Sequence, residues 1–333
     1  MMKKKLFACL LSAAMVLSLA ACGGTSETET TGTDADTSGS EGQTYTVGVI
    51  QQMQHVALDA ATEGFQDALT ELLGDQVKIE VLNASGESAN CSTIVGSFVS
   101  SGVDLIMANG TTALQSAAAA TTTIPILGTS ITEYGVALGI DDFTGTTGMN
   151  VSGTSDLAPL DQQAAMLQEW FPDAKNVGLV YCSAEPNSLY QVETVQGYLE
   201  EMGYICTAYS FSDSNDLSAV VTNACSQNDV LYIPTDNTAA QNSELIGNIA
   251  QSSATPIIAG EEGICSGCGV ATLTISYYDI GYATGEMAYE ILVNGADPAE
   301  MEIQYAPQFT KKYNADMCDA LGLTVPEGYE AIG

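Results

Sequence analysis

Two acidic residues stand where short apolar runs end. Asp236 lies in Pro234-Thr235-Asp236-Asn237-Thr238, and Glu261 in Gly260-Glu261-Glu262. Acids at adjacent strand ends suit an ammonium group, because each stabilises a nearby positive charge. On that reading, Asp236→Ala and Glu261→Ala should each weaken ligand binding by about tenfold or more. A ligand carboxylate would meet different chemistry. The chain holds no arginine, so no bidentate guanidinium can grip it. Hydroxyls and helix N-terminal amides must serve, and Thr111, Thr112, Thr154 and Ser155 are the candidate donors. Gln52, His55, Tyr277 and Tyr278 are candidate walls of a side-chain pocket. His55 is the single histidine, and a plain polar loop role fits it nearly as well.

Polar sets of this kind recur at the ends of the apolar runs. They include Thr129-Ser130, then Thr154-Ser155-Asp156, then Glu185 and Asn187, and Asn237 beside Asp236. Any one set reads first as a helix cap, since Ser, Thr, Asp and Asn satisfy free N–H groups. Seven such sets on the edges of parallel sheets point instead to a binding cleft.

Catalytic motifs are missing. There is no G-x-S-x-G, no G-x-x-x-x-G-K and no G-x-G-x-x-G after a strand, and one histidine limits acid–base chemistry. The residues therefore predict no enzyme and no cofactor. A cysteine-based racemase stays open as an alternative, because Cys182 ends an apolar run. Cys265-Ser-Gly-Cys268 has no second pair nearby, which predicts a turn carrying a loop disulfide or free thiols and no metal. Cys91 falls in a helical pattern with Ile94, Val95 and Phe98 and reads as core, as do Trp170 and Phe171.

The elements that must position these groups alternate. Val- and Ile-rich runs at 45–51, 78–82, 105–108 and 124–127 are each followed by helical periodicity or a turn, and the rhythm restarts after 151–154. In the second half, runs at 177–182, 205–209, 230–234, 256–259 and 270–276 interleave with helical patterns, the last at 279–293. Repeated βαβ units imply parallel sheets covered by helices on both faces. The expected fold class is α/β, with two Rossmann-like lobes joined by a hinge. The expected first lobe is 45–152 plus about 279–300, and the second 153–278 plus about 301–333.

Upstream, Lys3, Lys4 and Lys5 precede an apolar run at 6–19 that is short for a membrane span. Leu19-Ala20-Ala21-Cys22 then looks like a bacterial lipobox, which predicts a signal peptide at 1–21 and a lipid on Cys22 as the membrane link. Residues 22–44 are, past Cys22, almost entirely Gly, Ser, Thr, Asp and Glu, the composition of a disordered tether. Beyond Cys22 the chain sets four lysines against all 41 of its acids, which excludes nucleic acid as a partner.

With these segments in view, the chain resembles the substrate-binding lipoproteins of ABC transporters, in the family associated with tryptophan and tyrosine uptake. The matching segments are Val47-Gly48-Val49-Ile50-Gln51, His55-Val56-Ala57-Leu58-Asp59, Gly153-Thr154-Ser155-Asp156, Pro234-Thr235-Asp236-Asn237-Thr238, Gly260-Glu261-Glu262-Gly263 and Tyr277-Tyr278-Asp279-Ile280-Gly281. The resemblance implies a type I periplasmic-binding-protein fold closing on a small zwitterion, an amino acid and foremost an aromatic one. It adds Asp279 to the candidate site, and it implies an ABC permease with its ATPase as partners and an extracytoplasmic location. Val56 stands where the family often has proline, and Thr132-Glu133-Tyr134 where it often has Thr-Asp-Pro. A sensing lipoprotein without transport is the other alternative.

Overall fold

The structure, a computed structural model, describes residues 44–333. The expected signal segment 1–21, Cys22 and all but the last residue of the 22–44 tether lie outside the described residues. Among the described residues, no helix is long and apolar enough to cross a membrane.

Among the described residues, thirteen strands form two sheets. In chain order they are β1 (Tyr45–Gln51), β2 (Val77–Asn83), β3 (Leu105–Asn109), β4 (Ile126–Ile131), β5 (Val151–Ser155), β6 (Asn176–Cys182) and β7 (Ile205–Phe211). Then come β8 (Val230–Ile233), β9 (Ile257–Ala259), β10 (Ala271–Thr274), β11 (Gln304–Tyr305), β12 (Thr310–Tyr313) and β13 (Glu330–Ala331). The first sheet has the order β11-β5-β4-β3-β1-β2, and the second β13-β12-β10-β9-β8-β6-β7. Every pairing is parallel except β10 with β12. Burial explains the composition. The central strands β3, β4 and β8 are buried throughout and are mostly apolar, turning polar at Asn109 and at Thr129-Ser130, whereas the edge strand β2 exposes Lys78 and Glu80 between apolar residues.

The helices are α1 (Val56–Leu73), α2 (Ser88–Ser101), α3 (Thr111–Ala120), α4 (Tyr134–Leu138), α5 (Leu160–Trp170), α6 (Pro186–Glu201) and α7 (Ser214–Gln227). They continue with α8 (Asn237–Gln241), α9 (Ser243–Ser252), α10 (Glu262–Cys268), α11 (Tyr277–Asn294) and α12 (Ala315–Leu321). Helix α1 buries the stripe Leu58, Ala61, Phe65, Ala68 and Leu69, and α11 lies across it. Two glycines permit that approach: a Cβ on Gly281 would sit 2.0 Å from the Ala61 carbonyl oxygen, and one on Gly64 would sit 2.1 Å from that of Tyr278. At the rim of the same pair, the Tyr278 hydroxyl donates to Asp67 and that of Tyr282 to Glu71.

The chain passes between the two sheets three times: after β5, after β10, and between β11 and β12. Two details differ from the sequence boundaries. Gly153–Ser155, placed with the second lobe, pair in β5 with the first sheet, because the parallel run continues to the end of the strand. Residues 304–305, likewise placed with the second lobe, add β11 to the same sheet edge. Helices α8 and α9 are separated only by Asn242. Cys265 and Cys268, expected on a turn, lie on helix α10, whose first turn is held by the Glu261 side chain despite the two glycines in it.

Candidate functional site

In each sheet the strand order reverses once, between β1 and β3 in the first and between β6 and β8 in the second. Crevices outside the carboxyl ends of the strands at such points are where open α/β sheets bind ligands. A cavity lies there. His55, Leu58, Ser130, Thr132 and Asp156 line it from loops and a helix of the first sheet. Asn187, Thr235, Asp236, Asn237, Ala240 and Glu261 line it from the second, and Tyr277 from the segment that returns between them. About 10 Å³ of it is open to a water-sized sphere, room for roughly one molecule. A ligand larger than a water needs the two sets of loops to part.

Three carboxylates face this space, and Asp156, Asp236 and Glu261 are 5%, 1% and 3% exposed. Asp236 caps α8: one oxygen accepts the Ala239 N–H at 2.8 Å and the other the Cys182 N–H at 2.7 Å. Glu261 caps α10 by accepting the N–H groups of Gly263 and Ile264. Asp156 accepts the Tyr277 hydroxyl at 2.9 Å. Burial raises the pKa of all three. Asp236 is pushed up to about 7 by desolvation and by the neighbouring charge of Glu185, and Glu261 to about 7 by desolvation. Asp156 moves the same way for the same reason. No lysine lines the cavity. A buried anion cluster without a counter-ion is unfavourable, and a bound cation relieves it.

The hydrogen-bond ledger makes the demand specific. Among the described residues, seven buried side-chain polar atoms have no partner, and four of them belong to residues lining this cavity: His55 Nδ1, Ser130 Oγ, Asp156 Oδ1 and Asn187 Oδ1. Buried polar groups are nearly always satisfied, so such a concentration marks where another molecule belongs. The Asn187 amide nitrogen donates to the Thr235 carbonyl at 3.0 Å, which leaves its oxygen as the free acceptor. Asp156 Oδ1 is an acceptor when ionised. Ser130 adds strain to the pattern: its φ is +55°, a left-handed conformation rare for a non-glycine residue and found where the surroundings enforce it.

The sequence candidates divide accordingly. His55, Ser130, Asp156, Asn187, Asp236, Asn237, Glu261 and Tyr277 meet at the cavity. Gln52, Thr112 and Glu185 line a separate polar crevice of about 350 Å³ on the adjoining side. There Gln52 accepts the Thr112 N–H, and Glu185 accepts from the backbone and side chains of both Asn237 and Thr238. Thr129 and Thr154 share a hydrogen bond and are buried beneath the cavity, with Thr154 also meeting Thr284. Ser155 donates to the Thr132 carbonyl and so sets that loop. Thr111 is buried at the start of α3 and is absent from the cavity wall. Asp279 is on the exposed side of α11, whose buried face carries Tyr277, Ile280 and Gly281. Tyr278 is part-exposed and borders a larger outer crevice of about 400 Å³. Sequence reasoning missed Thr132, Leu58 and Ala240; the first follows β4 by one residue, and the other two sit one turn into helices that start at the cleft.

The thiols are chemically quiet. All seven described cysteines are free, and six are buried. Desolvation raises Cys182 to about 11 and raises Cys265 and Cys268 as well, so none is a ready thiolate. No cluster of three or more metal-ligating side chains occurs among the described residues.

Comparison with known proteins gives consistent results. A family model described as ABC transporter substrate binding protein matches residues 46–331. The tyrosine-binding protein of Clostridioides difficile strain R20291 is 34% identical over 249 residues, covering 74% of this chain and 72% of that protein. The structure of an ABC domain in complex with L-Trp from Streptococcus pneumonia matches with TM-score 0.83 and 31% identity, over 87% of this chain and 100% of that one. A ligand-free, open substrate-binding protein with adhesive properties from Clostridium difficile matches with TM-score 0.67 and 33% identity, over 86% and 99%. The two-sheet arrangement is the type I periplasmic-binding-protein fold.

Proposed function

The chain belongs to the ABC transporter substrate-binding protein family, and from that premise we propose that it is a lipoprotein that captures a zwitterionic amino acid, aromatic ones first, by hinge closure. The family is extracytoplasmic and non-enzymatic, binds small molecules and works with ABC permeases. The observation that carries the ligand class is the set of unpartnered atoms in a cavity lined by three buried carboxylates. Two carbonyl-type acceptors, one imidazole nitrogen and one hydroxyl call for a donor-rich cation, and an α-ammonium group brings three N–H donors. The Thr132 hydroxyl, with the absence of arginine, suits a ligand carboxylate held without a guanidinium.

Aromatic preference is supported by the relatives, one named for tyrosine and one solved with L-Trp. Hinge closure is supported by shape: at similar identity, the chain superposes better on the L-Trp complex than on the ligand-free, open relative. Ligand binding favours closure by its differential affinity for the closed form. The lipid anchor rests on the ordered basic, apolar and Leu19-Ala20-Ala21-Cys22 segments. Delivery to a permease and its ATPase follows from the family.

A thermal-shift panel tests the ligand. L-tryptophan and L-tyrosine should raise the melting temperature, because a ligand that binds only the folded state stabilises it. Indole-3-propionate, which lacks the ammonium, should not. A response to sugars with none to any amino acid defeats the proposal.

A further inference from the structure

His55 is the only histidine of the chain and sits at the N-cap of α1, on the first-sheet side of the cavity. Its Nε2 lies 3.1 Å from Asn237 Oδ1, which belongs to the second-sheet side. Which atom donates follows from the next link. The Asn237 amide nitrogen lies 2.6 Å from Glu185 Oε2 and donates to it. The amide must therefore turn its oxygen towards the imidazole, and an oxygen acceptor requires hydrogen on Nε2. Glu185 is itself fixed, accepting the N–H groups of Asn237 at 3.0 Å and Thr238 at 2.9 Å and the Thr238 hydroxyl at 2.8 Å.

We infer that the Glu185–Asn237–His55 chain locks His55 in the Nε2–H tautomer, so that its bare Nδ1 accepts a hydrogen bond from the ligand ammonium. This deepens the amino-acid reading and rests on it. Nδ1 is buried and without a partner in a cavity wall, which is where such an acceptor would be used. Burial also lowers the basicity of the ring below the usual histidine value, outweighing Asn237, Glu185 and Asp59, and so keeps the lone pair available. The same chain spans the two sheets, so the tautomer is set only when the halves are together. Glu185 and Asn237 are then positioning residues, acting on the ligand through His55.

The test is imidazole ¹⁵N NMR, in which a single histidine gives an unambiguous signal. In protein saturated with L-tryptophan, Nε2 should resonate as a pyrrole-type and Nδ1 as a pyridine-type nitrogen, with Nδ1 moved by its hydrogen bond to the ammonium. Asn237→Ala, checked for folding by circular dichroism, should show mixed tautomers and bind L-tryptophan about tenfold more weakly. An Nδ1–H tautomer in the wild-type complex overturns the assignment while leaving amino-acid binding intact. So does an Nδ1 resonance that shows no hydrogen bond, or a tautomer unchanged in a folded Asn237→Ala. Failure of L-tryptophan, L-tyrosine and the branched-chain amino acids to bind at all removes the premise and the assignment together.

Discussion

Replacing Asp156 by asparagine should weaken amino-acid binding while leaving the ligand-free protein at least as stable. The side chains are nearly isosteric, and the amide oxygen can still accept the Tyr277 hydroxyl that now meets Oδ2 at 2.9 Å. What disappears is the charge, and with it the second acceptor, Oδ1, which has no partner in the protein. A hydrogen bond to a charged group contributes about 1.5–3 kcal/mol, so the loss should be roughly 10- to 150-fold in affinity. Stability should move the other way. Burial raises the Asp156 pKa because the ionised form is unfavourable there, and a neutral amide avoids that desolvation. Isothermal titration with L-tryptophan and L-tyrosine reads the first effect, and melting without ligand the second. An affinity within about threefold of wild type would show that Asp156 does not meet the ammonium.

Acidity gives a second expectation. Asp236 and Glu261 stand at about 7 in the folded protein against ordinary carboxylate values of 3.8 and 4.5. Raised acids contribute stability that is complete below the unfolded values and lost as pH climbs through the folded ones. Ligand-free protein should thus lose stability from about pH 4.5 to 8 relative to Asp236→Asn/Glu261→Gln, and saturating L-tryptophan should flatten that difference; melts across pH in which wild type gains on the variant would contradict it. Gly281→Ala sets a methyl against the Ala61 carbonyl at 2.0 Å and should cost about 3 kcal/mol or more in urea unfolding, whereas wild-type stability would mean that α1 and α11 can move apart freely. Of the seven described cysteines only Cys206 is part-exposed, so a thiol reagent should label it ahead of the other six in the native state, slowly because burial and Glu200 push its thiol up to about 11; labelling of Cys265 or Cys268 at the same rate would show that α10 opens.

The strand pattern was legible because the central strands are buried on both faces and appear as Val- and Ile-rich runs between helical stretches. Termini that depend on long-range pairing were not. Strand β12 leaves no apolar run, since Lys311 and Lys312 occupy it, and it pairs only because β10 offers its edge. At the site, residue type located Asp236 and Glu261 but could not divide their work between ligand and fold. Both carboxylates already accept backbone N–H groups at helix starts. Asp156 is distinguished by an oxygen left over, which only the hydrogen-bond arrangement shows. Glu185 looked like a ligand group and is occupied by Asn237 and Thr238, a division of labour carried by three-dimensional contacts between segments 52 and 53 residues apart. Gly64 and Gly281 gave no signal at all, because a close helix crossing is invisible until both partners are placed.

The order in which the fold is completed has a consequence for biosynthesis. Helix α1 appears early in translation, yet its cover α11 comes only after the whole second sheet up to β10 has been made, as the 211-residue separation of Tyr278 from Asp67 illustrates. Until then Phe65, Leu69 and their neighbours have no lid, and the nascent first lobe cannot settle into its native core. The first lobe thus lacks its native cover until most of the chain has emerged, which favours a chain threaded across a membrane before that lobe closes on the far side.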